Sequence, residues 1–371
     1  MIFLRRPAPL RHSPVPRSAI NAVRGKGRPI IQALALFLPL MAAARAEVSE
    51  PGPADASTSL AWRADHHMHL ASAALCRLVG ECLPSNDPPA VFASDAVNAL
   101  DDAHVAKGVI LSCAYLYGLP SLHLTSIDIA AKTRRENEFT AAQVAKYPTR
   151  LVGFMSVNPL QSSAIDEIRH WSGSRLLVGL KVHFPASDVH MRSASERERV
   201  AQVFAAAAAQ RLPIVLHIGG DDFDDYDVEI FIRTVLPRAG SSWVQIAHAG
   251  GGYPLDNHAR VLRRFADHIA QNDPVTRHVL FDLAYVPAPE EDSAAVTSLM
   301  REVRRIGMER FLFGSDFNVL TPSQQISYLV RLGLTRDEES SLRRNCAPWV
   351  CQENTSTFLE LVGDAPHGHE R

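Results

Sequence analysis

Histidine, lysine and aspartate side chains lie near the ends of several short apolar runs in this chain, where they could support metal or proton chemistry. In "ADHHMHL", His67 and His69 are two positions apart, and Lys181 and His183 have the same spacing in "LLVGLKVHF". Three further runs carry one such residue each: His217, His248 and Asp316. Residues two positions apart in a strand share one face. We therefore expect His67 to act with His69, whereas His66 points to the other side.

These residues form a donor set of nitrogen and oxygen atoms. Two imidazoles at i and i+2, a third at His217 and the carboxylate of Asp316 suit Zn²⁺, Mn²⁺, Fe²⁺ or Co²⁺. Because the set lacks thiolates, it indicates a catalytic site with an open position, where a metal could activate water or polarise a substrate oxygen. His248 is a further ligand or a general acid and base. Asp65 lies one pleat deeper, so we expect it in a supporting or core network.

The order of apolar and periodic segments predicts the fold class. Eight β-rich runs are "WRADHHMHL", "AKGVILSCA", "RLVGFMSVN", "LLVGLKVHF", "LPIVLHIG", "WVQIAHAG", "HVLFDLAY" and "RFLFGSDF", and segments with helical periodicity lie between most of them. This alternation predicts βαβ units and an α/β (β/α)8 TIM barrel in a single domain. A doubly wound sheet is the alternative, but it would usually carry a glycine-rich turn after its first strand. In a barrel, the carboxyl ends of all strands open onto one mouth, where the polar residues would meet.

The first 46 residues have the order of a secretory signal peptide. Eight basic residues and no acid precede or flank the apolar run "IIQALALFLPLMAAARA", which ends in Ala-Arg-Ala. We predict a signal peptide over 1–46, a flexible leader over 47–60, the barrel over 61–361 and a disordered tail over 362–371. An uncleaved anchor, or a mis-assigned start with a basic tail, is the alternative. Cleavage after Ala46 predicts a periplasmic or secreted protein with no membrane segment.

The charge balance excludes a polyanionic partner for the mature chain. Removing the eight basic residues from the 38 Lys+Arg of the sequence leaves 30, against 40 Asp+Glu. Nucleic acid is therefore an unfavourable ligand, and a small-molecule substrate is expected. The five cysteines are too few for a disulfide scaffold and none has CxxC spacing, although export would permit a bridge such as Cys76 to Cys82.

The motifs together resemble the amidohydrolase superfamily, in particular its amidohydrolase-related branch with aminocarboxymuconate-semialdehyde decarboxylase-like proteins. The matching stretches are "DHHMHL", "NEFTAAQVAKYPTRLVGFMSVNP", "GLKVHF", "LPIVLHIGG", "IAHAGG", "FLFGSDF" and "RRNCAPWV". The resemblance implies a metal-dependent barrel enzyme. One divalent ion is expected, with two as the alternative, and zinc is the first candidate. Homodimers are common among such relatives.

The resemblance also implies a role for each position. His67, His69, His217 and Asp316 would be metal ligands, while His248 and Asp316 would handle protons. Lys181, carboxylated to a carbamate, would bridge two metals in one branch, whereas in the one-metal branch His183 would contact substrate. The activity implied is hydrolysis of an amide, ester or lactone by a metal-activated water. Non-oxidative decarboxylation of a small carboxylate is the alternative, and a barrel that binds a metal or ligand without turnover is a third hypothesis.

Overall fold

The computed structural model describes residues 61–79, 90–220, 223–251, 255–286 and 293–351. The predicted signal peptide, leader and C-terminal tail lie outside these residues, as does Cys82. Among the described helices, none combines the length and apolar character that a membrane span requires.

Eight parallel strands follow one another in sequence order around a single sheet, as the alternating pattern predicts. Their bounds are β1 Asp65–Met68, β2 Gly108–Leu111, β3 Leu151–Ser156, β4 Leu177–His183, β5 Ile214–His217, β6 Val244–Ile246, β7 Val279–Asp282 and β8 Phe311–Leu312. Nearly every strand residue is buried, because helices cover one face and the barrel interior the other.

Helices connect the strands on the outside of the barrel. The α-helices are α1 Ala73–Val79, α2 Ala93–Asp102, α3 Ser126–Val144, α4 Ala164–His170, α5 Ala194–Ala209, α6 Asp225–Thr234, α7 Leu255–Ala270, α8 Ser293–Ile306, α9 Pro322–Leu329, α10 Arg336–Arg344 and α11 Pro348–Cys351. Short 3₁₀ turns follow several strands, including Ala114–Gly118 after β2 and Ala247–Gly250 after β6. The sequence periodicity predicts helices over 126–147, 164–171, 195–210, 255–271 and 293–306. All five are present, and their ends differ from the predicted ones by at most three residues.

Backbone hydrogen bonds between β1 and the segment after β8 close the ring. His66 N–H donates to the Phe313 carbonyl at 2.8 Å, and Asp316 N–H donates to the His67 carbonyl at 2.8 Å. A parallel bridge between Met68 and Phe317 continues this pairing. Closure brings the polar end of β8 beside the histidines of β1, as the barrel prediction requires.

The C-terminal segment contains a local disulfide that the sequence analysis did not foresee, and hydrogen bonds fasten the segment to the barrel. Cys346 and Cys351 are bonded to each other, and Cys113 is a free thiol. Asn345 Nδ2 donates to the carbonyls of Met308 and Phe311 at 2.8 and 2.7 Å. Asn345 therefore has a packing role next to the start of β8.

Candidate active site

Two imidazoles and one carboxylate converge at the mouth of the barrel. His67 Nε2 lies 3.2 Å from His69 Nε2, and the Oδ1 atom of Asp316 lies 3.5 Å and 3.3 Å from these two nitrogens. The shared face predicted for His67 and His69 is thus confirmed by their contact. Asp316 reaches the pair from the turn after β8, where its φ of 63° is left-handed.

The hydrogen-bond partner of Nδ1 in His67 and in His69 determines whether Nε2 of that ring faces the site as a donor or as a lone pair. His69 Nδ1 lies 2.8 Å from the Leu111 carbonyl, which can only accept, so Nδ1 carries the proton. His67 Nδ1 lies 3.1 Å from Asp282 Oδ2 and is held in the same tautomer. In their neutral forms both rings therefore turn an Nε2 lone pair towards the Asp316 carboxylate. Three electron-pair donors so close together need a cation between them, and nitrogen and oxygen donors fit a divalent metal.

His248 stands next to this cluster on a constrained turn. Its ring centroid is 4.5 Å from that of His67, and its Nδ1 lies 2.9 Å from the Ala284 carbonyl. The φ angles of His248 and Ala249 are 53° and 50°, two consecutive non-glycine residues in the left-handed region. Such conformations cost about 1–2 kcal/mol each and persist only where their surroundings enforce them. The turn leaves Nε2 of His248 unblocked by the Ala284 carbonyl and available for proton transfer.

His183 and His217 form a stacked pair on the neighbouring wall. They are register partners of β4 and β5, and their ring centroids are 4.0 Å apart with planes 15° from parallel. His217 also contacts the ring of His248, at 4.7 Å between centroids. Nδ1 of His183 accepts the Ala186 N–H at 3.1 Å, so the neutral ring must carry its proton on Nε2. His183 consequently offers the site a hydrogen-bond donor.

Two groups place three candidate ligand atoms within 4.8 Å of one another in the part of the chain that the structure describes. One is His67, His69 and Asp316, and the other is His67, His248 and Asp282. His217 is in neither group, so its role as a metal ligand stays a prediction. Lys181 is buried and its Nζ lies 3.4 Å from His67 Nε2, so this candidate for a second metal lies beside the cluster. His183 instead stacks on His217.

A family model described as amidohydrolase matches residues 64–355, which is most of the chain. The chain belongs to the amidohydrolase family. No curated protein matches this amidohydrolase. Solved structures share its fold at low identity. A 5-carboxyvanillate decarboxylase from Sphingomonas paucimobilis is 13% identical over 80% of this chain and 100% of that one, with a TM-score of 0.57.

Two further solved structures were obtained with metals. A 5-carboxyvanillate decarboxylase from Novosphingobium aromaticivorans, complexed with manganese and 4-hydroxy-3-methoxy-5-nitrobenzoic acid, is 11% identical over 84% of this amidohydrolase and 100% of its own chain, with a TM-score of 0.54. A zinc-bound amidohydrolase from Burkholderia multivorans is 16% identical over 78% of this chain and 99% of its own chain, with a TM-score of 0.51. These likenesses confirm the barrel fold.

The pKa values of the site histidines are shifted because these residues are buried close to one another and to other charged groups. Burial lowers the pKa of His67, His183 and His217 well below 6.5, and neighbouring cationic groups lower it further. Burial also opposes charge on His69, but Cys113 and the Asp316 carboxylate outweigh it and raise the pKa of His69 to about 10. Without a metal, a proton on His69 and the Lys181 amine, 3.4 Å from His67 Nε2, therefore supply the positive charge that the converging lone pairs need.

Burial disfavours the charged forms of both Lys181 and Asp316, but it determines the pKa shift only of Lys181. Burial lowers the pKa of Lys181 to about 8, although Asp282 and Asp316 oppose the shift. Burial disfavours the charged form of Asp316 too, yet its hydrogen bond to His69 and the nearby imidazoles hold its pKa below the usual range. Asp316 is therefore ionised at neutral pH, which is the form that can bind a metal.

Sequence reasoning missed Asp282, Cys113 and Tyr115. Asp282 ends β7 in "HVLFDLAY" just as the predicted residues end their strands, so the same rule would have found it. Cys113 Sγ lies 3.2 Å from His69 Nδ1, and the Tyr115 ring lies 4.9 Å from that of His183. Both follow β2, where the sequence analysis singled out no site residue.

Asp65 and His66 serve the framework, in agreement with the sequence analysis. Asp65 Oδ1 accepts the backbone N–H groups of His67 and Ser315 at 3.1 and 3.0 Å, which ties β1 to the end of β8. His66 Nδ1 bonds the Phe313 carbonyl at 3.0 Å, and its Nε2 accepts the Ala347 N–H at 3.1 Å. With both nitrogens engaged, His66 is not free to bind a metal.

Proposed function

We propose that this amidohydrolase is a metal-dependent hydrolase that cleaves an amide, ester or lactone bond in a small molecule. The observation that carries the proposal is the convergence of the Nε2 lone pairs of His67 and His69 with the Asp316 carboxylate, directly beside His248. The donor set suits one divalent ion, with zinc the first candidate and manganese the next.

His67, His69 and Asp316 would hold the ion, and His217 is proposed as the fourth protein ligand. When bound, such an ion polarises a carbonyl oxygen and makes a coordinated water more acidic. The chain's own groups would move the protons. Asp316, being ionised, can take one, and His248 can deliver one to the leaving group because its Nδ1 is fixed on the Ala284 carbonyl.

Decarboxylation is the second candidate, and it is favoured by the activities named for the solved relatives. Two structures similar to this chain are 5-carboxyvanillate decarboxylases, and another is a dihydroxybenzoic acid decarboxylase with bound manganese and 2-nitroresorcinol. His248 would then protonate the carbon that loses carbon dioxide. Asp316 would act only as a ligand, since no water needs to be activated.

Isotope incorporation separates the two reactions. We would load the protein with zinc or manganese and assay esters, lactones and amides beside aromatic carboxylates. Hydrolysis in ¹⁸O-labelled water puts the label into the acid product, whereas decarboxylation in D₂O puts deuterium on the product carbon and releases carbon dioxide. We expect the ¹⁸O result, with at least 100-fold loss in His248→Gln at unchanged metal content. Deuterium incorporation alone would establish the second candidate, and absence of both activities would contradict the proposal.

We further propose that the protein is exported to the periplasm or secreted. The Cys346–Cys351 disulfide supports this proposal, because disulfides persist mainly in oxidising compartments. Mass spectrometry of the N-terminus of exported protein tests it. A mature chain that begins at Glu47 is expected, and a chain that keeps Met1 would contradict the predicted signal peptide.

A further inference from the structure

The carboxylate of Asp282 faces four N–H groups beside the cluster of His67, His69 and Asp316. Its side chain is fully buried at the end of β7. Oδ1 accepts the backbone N–H groups of His248 and Ala284 at 2.9 and 3.1 Å. Oδ2 accepts Gln245 Nε2 at 2.6 Å and faces His67 Nδ1 at 3.1 Å. Four N–H groups thus occupy both oxygens, so Asp282 is engaged as a hydrogen-bond acceptor and has no free direction for a metal.

The contact with His67 determines which nitrogen of that ring is available. A carboxylate oxygen in this position accepts a proton from Nδ1, which leaves Nε2 as the lone pair that points towards His69 and Asp316. If the proton moved to Nε2, the neutral ring could not bind a metal at that atom. Asp282 therefore sets the tautomer on which the metal site depends.

The contact with the β6 turn fixes the proton-transfer residue. Oδ1 of Asp282 receives N–H groups from both His248 and Ala284, and Ala284 in turn receives Nδ1 of His248 on its carbonyl oxygen at 2.9 Å. This closed set of hydrogen bonds holds His248 in its left-handed backbone conformation and orients its ring. One carboxylate is thus shared between a metal ligand and the neighbouring acid and base.

We propose that Asp282 is a positioning residue that fixes the tautomer of His67 and the orientation of His248 together. This inference rests on the proposed function, because it assigns the chemistry of that same site to a residue outside the predicted ligand set. It does not make Asp282 a ligand. It predicts that Asp282 acts on metal affinity through His67.

Asp282→Asn is the sharpest substitution because it keeps the shape of the side chain. The asparagine carbonyl can still accept from His248 and Ala284, but its NH₂ group then faces Nδ1–H of His67. Gln245 can adapt by rotating, since its Oε1 has no hydrogen-bond partner among the described residues. His67 can adapt only by moving its proton to Nε2, which removes the lone pair from the metal site.

Gln245→Met is the matched control. Gln245 is as fully buried as Asp282 and bonds the same oxygen. Its other hydrogen bond among the described residues goes to the His66 carbonyl and not to a predicted ligand ring. Its loss weakens the packing around Asp282 and leaves the contact between Asp282 and His67 in place. Both variants should lower the Tm, and only Asp282→Asn should change metal binding.

The experiment is a zinc titration of both variants and the unsubstituted protein against a chromophoric chelator. We expect Asp282→Asn to bind zinc about 10- to 100-fold more weakly at the same saturating stoichiometry, and Gln245→Met to stay within about threefold. Unchanged zinc affinity in Asp282→Asn, a lowered saturating stoichiometry, or an equal loss in Gln245→Met would overturn the inference. Failure of the unsubstituted protein to bind zinc or manganese would instead overturn the proposed function. If Asp282→Asn does not fold, Asp282→Glu replaces it, since the longer side chain displaces the acceptor and should also weaken zinc binding.

Discussion

His67 and His69 approach each other through atoms that cannot share a hydrogen bond in the neutral tautomers. Their Nε2 atoms are 3.2 Å apart, while Asp282 and the Leu111 carbonyl engage the two Nδ1 atoms. The barrel thus holds two lone pairs and a carboxylate in contact at its mouth. This arrangement is unfavourable without a cation, and it is the basis of the metal-dependent function proposed for this protein.

Removal of the metal should lower both activity and stability. A ligand that binds only the folded state adds about 2.7 kcal/mol to the free energy of unfolding at 100 times its Kd. We expect chelated protein to show a lower Tm that zinc restores. His69→Ala should lose this response, whereas His66→Gln should keep it despite a lower Tm, because His66 bonds Phe313 and Ala347. Differential scanning calorimetry with and without zinc is the measurement, and a zinc response retained in His69→Ala would contradict the ligand assignment.

His217→Ala tests whether His217 binds the metal. His217 is absent from the two groups of three candidate ligands found among the described residues. If His217 is the fourth ligand, its loss should weaken zinc binding at least 10-fold. A residue that binds the metal directly contributes at least as much affinity as a residue that only hydrogen-bonds a ligand. Metal content by inductively coupled plasma mass spectrometry provides the measurement. Full metal content in a folded His217→Ala protein would reduce His217 to a stacking partner of His183.

Tyr115→Phe should weaken turnover without affecting the metal. Burial, together with Cys113 and Asp316, raises the pKa of Tyr115 well above 10, so the phenol remains a hydrogen-bond donor at neutral pH. Its ring lies against His183 at the mouth. If the phenol donates to substrate, loss of that hydrogen bond, worth about 1–1.5 kcal/mol, should lower kcat/KM roughly 10-fold. Steady-state kinetics at matched zinc content measures this, and an unchanged kcat/KM would remove Tyr115 from the substrate site.

Glu136 should make stability depend on pH. It accepts Ser72 N–H at 2.9 Å and the Ser72 hydroxyl at 2.5 Å, and so joins α3 to the loop after β1. Burial raises the pKa of Glu136 above 4.5, so the folded protein keeps a proton that the unfolded chain releases. Its contribution to stability is full below about pH 4.5 and declines as pH rises through the folded pKa.

Glu136→Gln removes that titration while keeping an acceptor for Ser72. The difference in free energy of unfolding between the two proteins should shift in favour of Glu136→Gln as pH rises from 4.5 to 8. Urea unfolding at several pH values measures the difference. A difference that does not vary with pH would show that Glu136 has the same proton affinity in the folded and unfolded states.

Reduction of the Cys346–Cys351 disulfide should destabilise the protein without inactivating it directly. A loop this short gives an entropic stabilisation of about 2 kcal/mol. Ala347, within the loop, also donates its N–H to His66. Urea unfolding with and without dithiothreitol measures the loss, with a Cys346→Ser, Cys351→Ser double variant as the control. A reductant effect that persists in the double variant would point to another bond.

The amino-acid sequence by itself determined the architecture and indicated part of the set of residues that meet at the mouth. Strands buried on both faces must be apolar, so eight apolar runs separated by periodic helices define a parallel barrel, and a polar residue that interrupts such a run stands out. His67, His69 and Asp316 could be chosen on that ground, since closure of the sheet brings β8 beside β1.

Only the tertiary structure decided how those residues are protonated and supported. Asp282 reaches His67 across 215 residues of sequence, and His183 stacks on His217 through the register of β4 with β5. Such contacts depend on the summed twist and register of eight strands, which no local pattern encodes. The tautomer of a histidine depends on the partner of its second nitrogen. For His67, His69 and His248 those partners are a carboxylate and carbonyl oxygens supplied by other strands and the turns that follow them.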